Sequence, residues 1–266
     1  MLYYVSDIHV EHKIDFDALP EEMPEEEFGE VVADIADKVF ASTMAHTDND
    51  YLLVAGDTCE NTHIGHYFFG QLTKVWKPDH IIVVLGNHEM WIPGQAWTDD
   101  NESIKPNTIS VISAWRKVFR KLGVTMLQNE TVELPDLNAV VLGGIGFSGQ
   151  NDDFNAARGL YQKTLTARNQ DRYQSRNFDG LYKKTVQRCE AENKKLIVLT
   201  HNPWRDWHNG NIENENASIP IVYISGHTHK NKKIEIDTGT VKKKILEDSQ
   251  IGYPIRRQYS VKSFSI

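Results

Sequence analysis

Tyr51-Leu52-Leu53-Val54-Ala55-Gly56-Asp57 is the stretch whose reading decides the fold. Its unbroken apolar run suits a strand covered on both faces, as in a central, mostly parallel sheet. Gly56 then lets the chain turn, and Asp57 falls at the carboxyl end of the strand, where open α/β sheets place their ligands. Four other segments repeat this grammar: Leu2-Tyr3-Tyr4-Val5-Ser6-Asp7-Ile8-His9, Ile81-Ile82-Val83-Val84-Leu85-Gly86-Asn87-His88-Glu89, Leu196-Ile197-Val198-Leu199-Thr200-His201 and Ile221-Val222-Tyr223-Ile224-Ser225-Gly226-His227-Thr228-His229. Five strands thus deliver five polar tips. Because the tips span Leu2 to His229, cutting the 266-residue chain between them would divide one site, and residues 1–266 read as a single domain.

Between the strands the period changes to that of helices. Phe28, Val31, Val32, Ile35, Val39, Phe40 and Met44 form one apolar stripe, and Thr62 to Trp76 places Ile64, Phe68, Leu72 and Trp76 on one side. Pro93 and Gly94 mark a loop from Trp91 to Pro106. Ile109, Ile112, Trp115, Phe119 and Leu122 predict a helix closed by Gly123. Val124 to Leu127 and Ala139 to Phe147 read as further strands, and Phe178 to Asn193 as a helix. After His229 the pattern alternates: Ile234 to Ile236 and Val241 to Leu246 flank the turn Asp237-Thr238-Gly239-Thr240, and a last strand is expected around Tyr259 to Ile266. Strands that first alternate with helices and then form hairpins imply mixed sheets flanked by helices.

The composition, 40% apolar and 25% charged, is that of an ordinary globular protein, and a net charge of −8 argues against broad nonspecific binding to nucleic acid or an anionic membrane. The sign is uneven: residues 1–60 carry sixteen acids against Lys13 and Lys38, whereas residues 158–195 carry ten Lys or Arg against four acids. No signal-peptide pattern precedes Leu2 and no apolar run approaches the ~20 residues of a membrane span, so a cytoplasmic location without membrane contact is expected. Cys59 and Cys189 are too few for a disulfide framework or a structural zinc knuckle.

Collected together, the tips offer Asp7, His9, Asp57, Asn87, His201, His227 and His229. Carboxylate oxygen, amide oxygen and imidazole nitrogen suit manganese, iron, zinc or a related divalent ion. Seven ligands exceed what one ion with an open position needs. Two ions sharing a carboxylate match the number and form the clamp used for in-line displacement at phosphorus.

The segments Asp7-x-His9, Gly56-Asp57, Gly86-Asn87-His88-Glu89, Thr200-His201 and Gly226-His227-Thr228-His229 resemble, in order and rough spacing, the five motifs of the calcineurin-like metallophosphoesterases. The resemblance implies an α/β fold, a four-layer α/β/β/α sandwich of two mixed β-sheets flanked by helices. It also implies a first metal on Asp7, His9, Asp57 and His229 and a second on Asp57, Asn87, His201 and His227. A hydroxide held between the ions would attack phosphorus and His88 would protonate the leaving oxygen, which makes His88, Asp57 and Asn87 the catalytic candidates. A small phosphorylated substrate follows. One branch departs: protein Ser/Thr phosphatases carry an Asp and then an Arg where this chain has Glu60 and Asn61, so the phosphate-gripping arginine of that branch is missing.

The basic excess within 148–195 predicts a cap or insert beside the metals that attracts a substrate with further charge, such as a nucleotide; against this, Arg158, Arg168, Arg172 and Arg176 also suit a solvated face. His12, His46, His63, His66, His80 and His208 read as surface histidines, and His63 and His66, on one helix face close to Asp57, are the ones of these expected to see substrate. Gly144-Ile145-Gly146-Phe147-Ser148-Gly149 spells a dinucleotide fingerprint with Asp171 at the ribose distance, but Gln150 to Phe154 is too polar to open the required helix, and a close-packed loop explains the glycines. Cys59 reads as a small buried thiol, and Trp204 and Trp207 either wall a pocket or pack locally. The same fold can serve as a binding scaffold once its catalytic groups are lost. The complete ligand set and His88 argue for an enzyme.

Overall fold

The structure, a computed structural model, describes residues 1–90, 108–147, 149–150, 165–256 and 258–266. The expected loop from Trp91 to Pro106, together with Ser148 and Arg158, lies outside them. Eleven strands are described: β1 Leu2–Val5, β2 Tyr51–Ala55, β3 Ile81–Val84, β4 Thr125–Met126, β5 Glu130–Leu134, β6 Ala139–Gly144, β7 Lys195–Thr200, β8 Ile221–Ile224, β9 Lys232–Asp237, β10 Lys242–Glu247 and β11 Lys262–Phe264. They form a five-stranded sheet in the order β11-β1-β2-β3-β4 and a six-stranded sheet in the order β5-β6-β7-β8-β10-β9. Both are mixed, since β11 runs antiparallel to β1, and β5 and β9 antiparallel to β6 and β10, around parallel centres.

Period-two alternation sorts the strand residues into layers. Leu53 and Ala55 of β2, Val141 of β6 and Ile197 and Leu199 of β7 share the core between the two sheets. Leu52 and Val54 face the other way, into a core closed by α1 (Glu25–Phe40), α2 (Thr62–Leu72) and α3 (Thr108–Leu122). Val140, Leu142, Leu196 and Val198 face α4 (Leu165–Glu192) and the single turn α5 (Trp204–Trp207). The result is the expected four-layer α/β/β/α sandwich. Each fully buried Leu, Ile or Val in these layers contributes roughly 1.5–3 kcal/mol of transfer free energy.

Several local expectations shift. Met44 is 71% exposed and Ile109 is 77% exposed, so the first apolar stripe ends, and the stripe of α3 begins, about a turn inside the span that their spacing suggests. The helix from Thr62 closes at Leu72, and Trp76 is buried beyond it. The helix expected from Phe178 begins at Leu165. Its Phe178, Tyr182 and Cys189 cover the second sheet, so this part of 148–195 is a layer of the sandwich; residues 151–164 lie outside the described ones. No helix among the described residues is long and apolar enough to cross a membrane.

Register positions the tips. In the first sheet Val5 pairs with Val54 and Val54 with Val83, so Asp7, Asp57 and Asn87 leave their strands at nearly one level. In the second, Leu199 pairs with Ile224, which brings His201 level with His227.

Candidate metal centre

All seven candidate ligands converge where the carboxyl ends of both sheets meet. Asp7, His9 and His229 bring donor atoms within 4.8 Å of one another, and so do Asp57, His201 and His227. Asp57 stands between the two groups, with Oδ2 3.3 Å from His201 Nε2 and 3.9 Å from His9 Nε2. Asn87 joins the second group, its Oδ1 being 2.9 Å from His201 Nε2 and 2.8 Å from His227 Nδ1.

The backbone is bent to achieve this. Among the described residues, eight other than glycine have positive φ; three are asparagines, and the other five are Asp7, His9, Asp57, His227 and His229. Left-handed backbone is costly for such side chains and persists where surrounding structure enforces it, commonly at functional sites. The carboxylates also abut the chain so closely that glycine is required: a Cβ on Gly86 would lie 2.2 Å from Asp57 Oδ1, and one on Gly226 2.3 Å from Asp7 Oδ2.

Hydrogen bonding fixes the carboxylates and one imidazole. Asp57 Oδ1 accepts the His88 N–H at 2.9 Å, and Asp7 accepts the His227 N–H at 2.9 Å. His201 Nδ1 lies 2.9 Å from the Ala55 carbonyl and must donate to it. In the neutral ring, Nε2 is then a lone pair aimed at Asn87 Oδ1, Asp57 Oδ2 and, at 3.1 Å, His227 Nδ1. His9 Nε2 and His229 Nε2 likewise face each other at 3.2 Å. Acceptors converging in this way demand positive charge. Burial pushes the pKa of His201 down, yet Asp57 outweighs it and holds it up at about 9. Burial likewise opposes ionisation of Asp57, but His201 holds its carboxyl well below the usual range. His227 is pushed down to about 3 by burial and by His201.

Ligands bound at ~2.0–2.2 Å to one ion lie about 3–4 Å apart, which is the spacing of these donors. The residues present therefore fit divalent ions of the oxygen- and nitrogen-binding class.

His88 flanks the cluster, with Nε2 3.9 Å from Asp57 Oδ2 and Nδ1 3.3 Å from Glu60 Oε1. Burial lowers its pKa to about 4 against the pull of Asp57.

Two residues beyond the predicted set shape the site. Glu89 is buried beneath it and accepts backbone N–H bonds from Asp57 at 3.0 Å, Thr58 at 2.6 Å, Cys59 at 3.3 Å and Gly86 at 2.7 Å. It ties the β2 tip to the β3 tip. Burial and Asp57 push its carboxyl up to about 7, with the N–H bonds opposing. Tyr253 stacks on His9, ring centroids 4.3 Å apart, and its hydroxyl is 3.4 Å from His88 Nε2. Its loop is held by the Gly252 N–H on the Asp7 carbonyl, 2.7 Å, and by Lys13 Nζ on the Gly252 carbonyl, 2.8 Å. Glu89 was legible as the acid of the Gly86-Asn87-His88-Glu89 motif, and Tyr253 only as an aromatic between Gly252 and Pro254.

Of the remaining candidates His12 adjoins the site, its ring centroid 4.7 Å from that of Tyr253 and 6.0 Å from that of His9, and the others lie elsewhere. His12, His63 and His66 are exposed and His46 is half-buried against Trp76, but His80 and His208 are buried, contrary to the surface reading. His80 stacks on Tyr51 and bonds the Asp50 carbonyl. Trp204 and Trp207 pack against the α4 side of the second sheet. Cys59 is fully buried. At the glycine-rich loop a Cβ on Gly146 would meet Trp207 at 2.7 Å and one on Gly149 the Arg172 backbone at 2.3 Å, which is close packing.

A family model described as calcineurin-like phosphoesterase matches residues 2–231. No curated protein matches the sequence. Among solved structures, phosphopantetheinyl hydrolase from Mycobacterium tuberculosis superposes with a TM-score of 0.54 at 13% identity, over 94% of this chain and 90% of that one. Sulfate thiohydrolase SoxB from Thermus thermophilus, in complex with glycerol, gives a TM-score of 0.43 at 11% identity, over 94% of this chain and 52% of that one, so this chain spans about half its length. The first of these likenesses is one of fold.

Proposed function

From the premise that this chain belongs to the calcineurin-like phosphoesterase family, we propose that its strand-tip cluster holds two divalent ions and hydrolyses a small phosphate monoester or diester. Membership makes the protein a hydrolase of ester bonds; the two-ion assignment and the residue roles are our reading. Asp7, His9, Asp57 and His229 would hold one ion, and Asp57, Asn87, His201 and His227 the other. Manganese, iron and zinc all suit these donors. When bound, such a pair supplies Lewis acidity toward phosphoryl oxygens and lowers the pKa of water.

The chain's own residues then have distinct tasks. Asp57 would share its carboxylate between the two sets and balance charge on both. Asn87 contributes oxygen without further negative charge, which leaves the centre attractive to phosphate. His88 directs Nε2 toward the cluster and gives its proton to the leaving oxygen. Burial opposes the charged form of this ring, with its pKa at about 4, so the proton it gives is the one Nε2 carries toward the cluster while Nδ1 faces Glu60. Glu89 keeps Asp57 and Asn87 in register, and Tyr253 lines the approach to His88.

The observation that carries this reading is the convergence of carboxylate, imidazole and amide donors at the strand tips, five of the seven on left-handed backbone, with the Asp57 carboxylate between the two groups. A nucleotide is our preferred substrate class. Ser175 of α4 bonds the Phe147 carbonyl just after β6, which places the first half of α4, with Arg172 and Arg176, at the sheet edge that carries the site. Residues 1–266 are taken as one domain, in which α4, from the second half of the 148–195 segment expected to be a cap or insert, is a layer of the sandwich. A metal-reconstituted screen of aryl monoesters, aryl diesters, cyclic nucleotides and nucleoside phosphates tests the proposal. Turnover of at least one class, lost on chelation and restored by added ions, is expected; metal-independent turnover would contradict it.

A further inference from the structure

Behind His88, on the side away from Asp57, lies another convergence of donors: Glu11, Glu60 and His88 Nδ1, whose ligand atoms are within 4.8 Å of one another. Glu11 sits on the short turn Val10–Lys13 that follows His9, and Glu60 follows Asp57, so two acids reach one point from separate strand ends. Glu60 Oε1 is 3.3 Å from His88 Nδ1, and Glu11 Oε1 is 3.7 Å from the same nitrogen. The longer separation exceeds a hydrogen bond.

Glu11 is the unusual member. Its side chain is nine-tenths buried, with 10% exposure, and neither carboxylate oxygen has a hydrogen-bond partner. A second observation comes from His9, a fully buried ring whose Nδ1 is also without a hydrogen bond and lies 3.7 Å from the same Glu11 oxygen. Among the described residues no Lys or Arg forms an ion pair with Glu11 or Glu60. Lys13, the nearest in sequence, is turned to the carbonyls of Ile8 and Gly252. Among the described residues the two carboxylates thus share a largely buried corner with no Lys or Arg paired to them and, apart from the His9 and His88 ring nitrogens, only His12 Nε2 within 3.9 Å of Glu11, an arrangement that proteins ordinarily balance with an ion.

We propose that Glu11, Glu60 and His88 Nδ1 form a third divalent-cation site, separate from the strand-tip pair and suited to zinc or manganese. Separations of 3.3 and 3.7 Å are those of ligands ~2.1 Å from a common ion at angles of about 100–125°. Mixed carboxylate and imidazole donors select this borderline class of ion. The simpler account makes Glu11 only an outer support for His9, and it assigns no shared role to Glu60.

The test is equilibrium dialysis against Zn²⁺, with ions per chain measured by elemental analysis for the parent, Glu11→Gln, Glu60→Gln and the double variant. Each substitution preserves size, and thermal melting checks the fold. The parent is expected to bind one ion more than either single variant, and the double variant to lose no second ion. His201→Ala, which damages the strand-tip pair, is expected to keep the ion that both Gln variants lose. Equal ion content in the parent and Glu60→Gln, or loss in Glu11→Gln alone, overturns the proposal. Should the strand tips hold a single ion, the totals drop but the difference between parent and Gln variants stays, so the two readings fail separately.

Discussion

His201 and His208 are both buried, and both stand among oxygens of other residues, yet their surroundings follow opposite rules. His208 has a proton acceptor for each nitrogen: Asp179 Oδ1 at 2.6 Å from Nδ1 and Glu215 Oε1 at 2.7 Å from Nε2. Glu215 is further held by the Tyr182 hydroxyl at 2.7 Å, which also meets the Tyr223 hydroxyl at 2.8 Å. No residue of that cluster has a positive φ. Around His201, one nitrogen is satisfied and the other faces an amide oxygen, a carboxylate and another imidazole, on strained backbone. A satisfied polar cluster clamps α4 to the loop after α5, whereas a crowded and strained one leaves positive charge to be supplied from outside.

The comparison breaks most visibly at Asp57. Asp57→Asn is expected to lower turnover by more than the ~10²–10³-fold that follows loss of a single electrostatic donor, together with tight binding of at least one ion. An active Asp57→Asn enzyme with parental metal content would put the shared carboxylate elsewhere. Next comes His88→Asn, for which both strand-tip ions are retained and substrates with poor leaving groups slow by ~10²–10⁴-fold. A nitrophenyl ester is expected to suffer less, because its leaving group needs little protonation. Equal losses on both kinds of substrate would remove His88 from the proton-donor role.

His208→Ala tests the other side of the comparison. It leaves Asp179 and Glu215 without their shared partner and is expected to cost about 3 kcal/mol, the low end for breaking a buried pair because Glu215 is 33% exposed. That corresponds to a Tm lower by roughly 6–10 °C, with metal content and turnover unchanged. Burial opposes the charge on His208, but Glu215 and Asp179 raise its pKa above the ordinary value. The folded state therefore binds this proton more tightly than the unfolded chain. Its stabilisation is full below the unfolded value of ~6.5 and is lost as pH rises through the raised one. Melting curves of the parent and His208→Ala should accordingly draw closer from pH ~6 upward. A gap that widens with pH would mean the ring is held neutral.

What the sequence disclosed follows from the same contrast. The strand tips were legible because each ends an apolar run with glycine or a polar residue, a local signal. The His208 cluster was not, since Asp179 lies 29 residues and Glu215 seven residues away in the chain. Helix α4 was seen only from Phe178, where apolar residues begin to recur; its polar first half carries no stripe. Met44 and Ile109 continued their stripes past the point where the sheet gives them anything to cover. Glu11 and Glu60 stand near the candidate ligands His9 and Asp57 in the sequence, but only the fold turns them toward one ring nitrogen.

The smallest expected effect concerns the basic residues of α4. Arg176 is exposed and Arg172 partly so. Replacing Arg168, Arg172 and Arg176 together with Glu should raise KM for the best nucleotide substrate at low salt and leave turnover of a small aryl phosphate nearly unchanged. Equal KM values for the triple variant and the parent would assign these residues to the solvated surface.

Anomalous diffraction at the absorption edge of the reconstituted metal addresses the central claim most directly. The account predicts two peaks at the strand tips, one bounded by Asp7, His9 and His229, the other by Asn87, His201 and His227, with the Asp57 carboxylate touching both. A single peak there after full reconstitution, or a pair that leaves Asp57 without a metal contact, would contradict it.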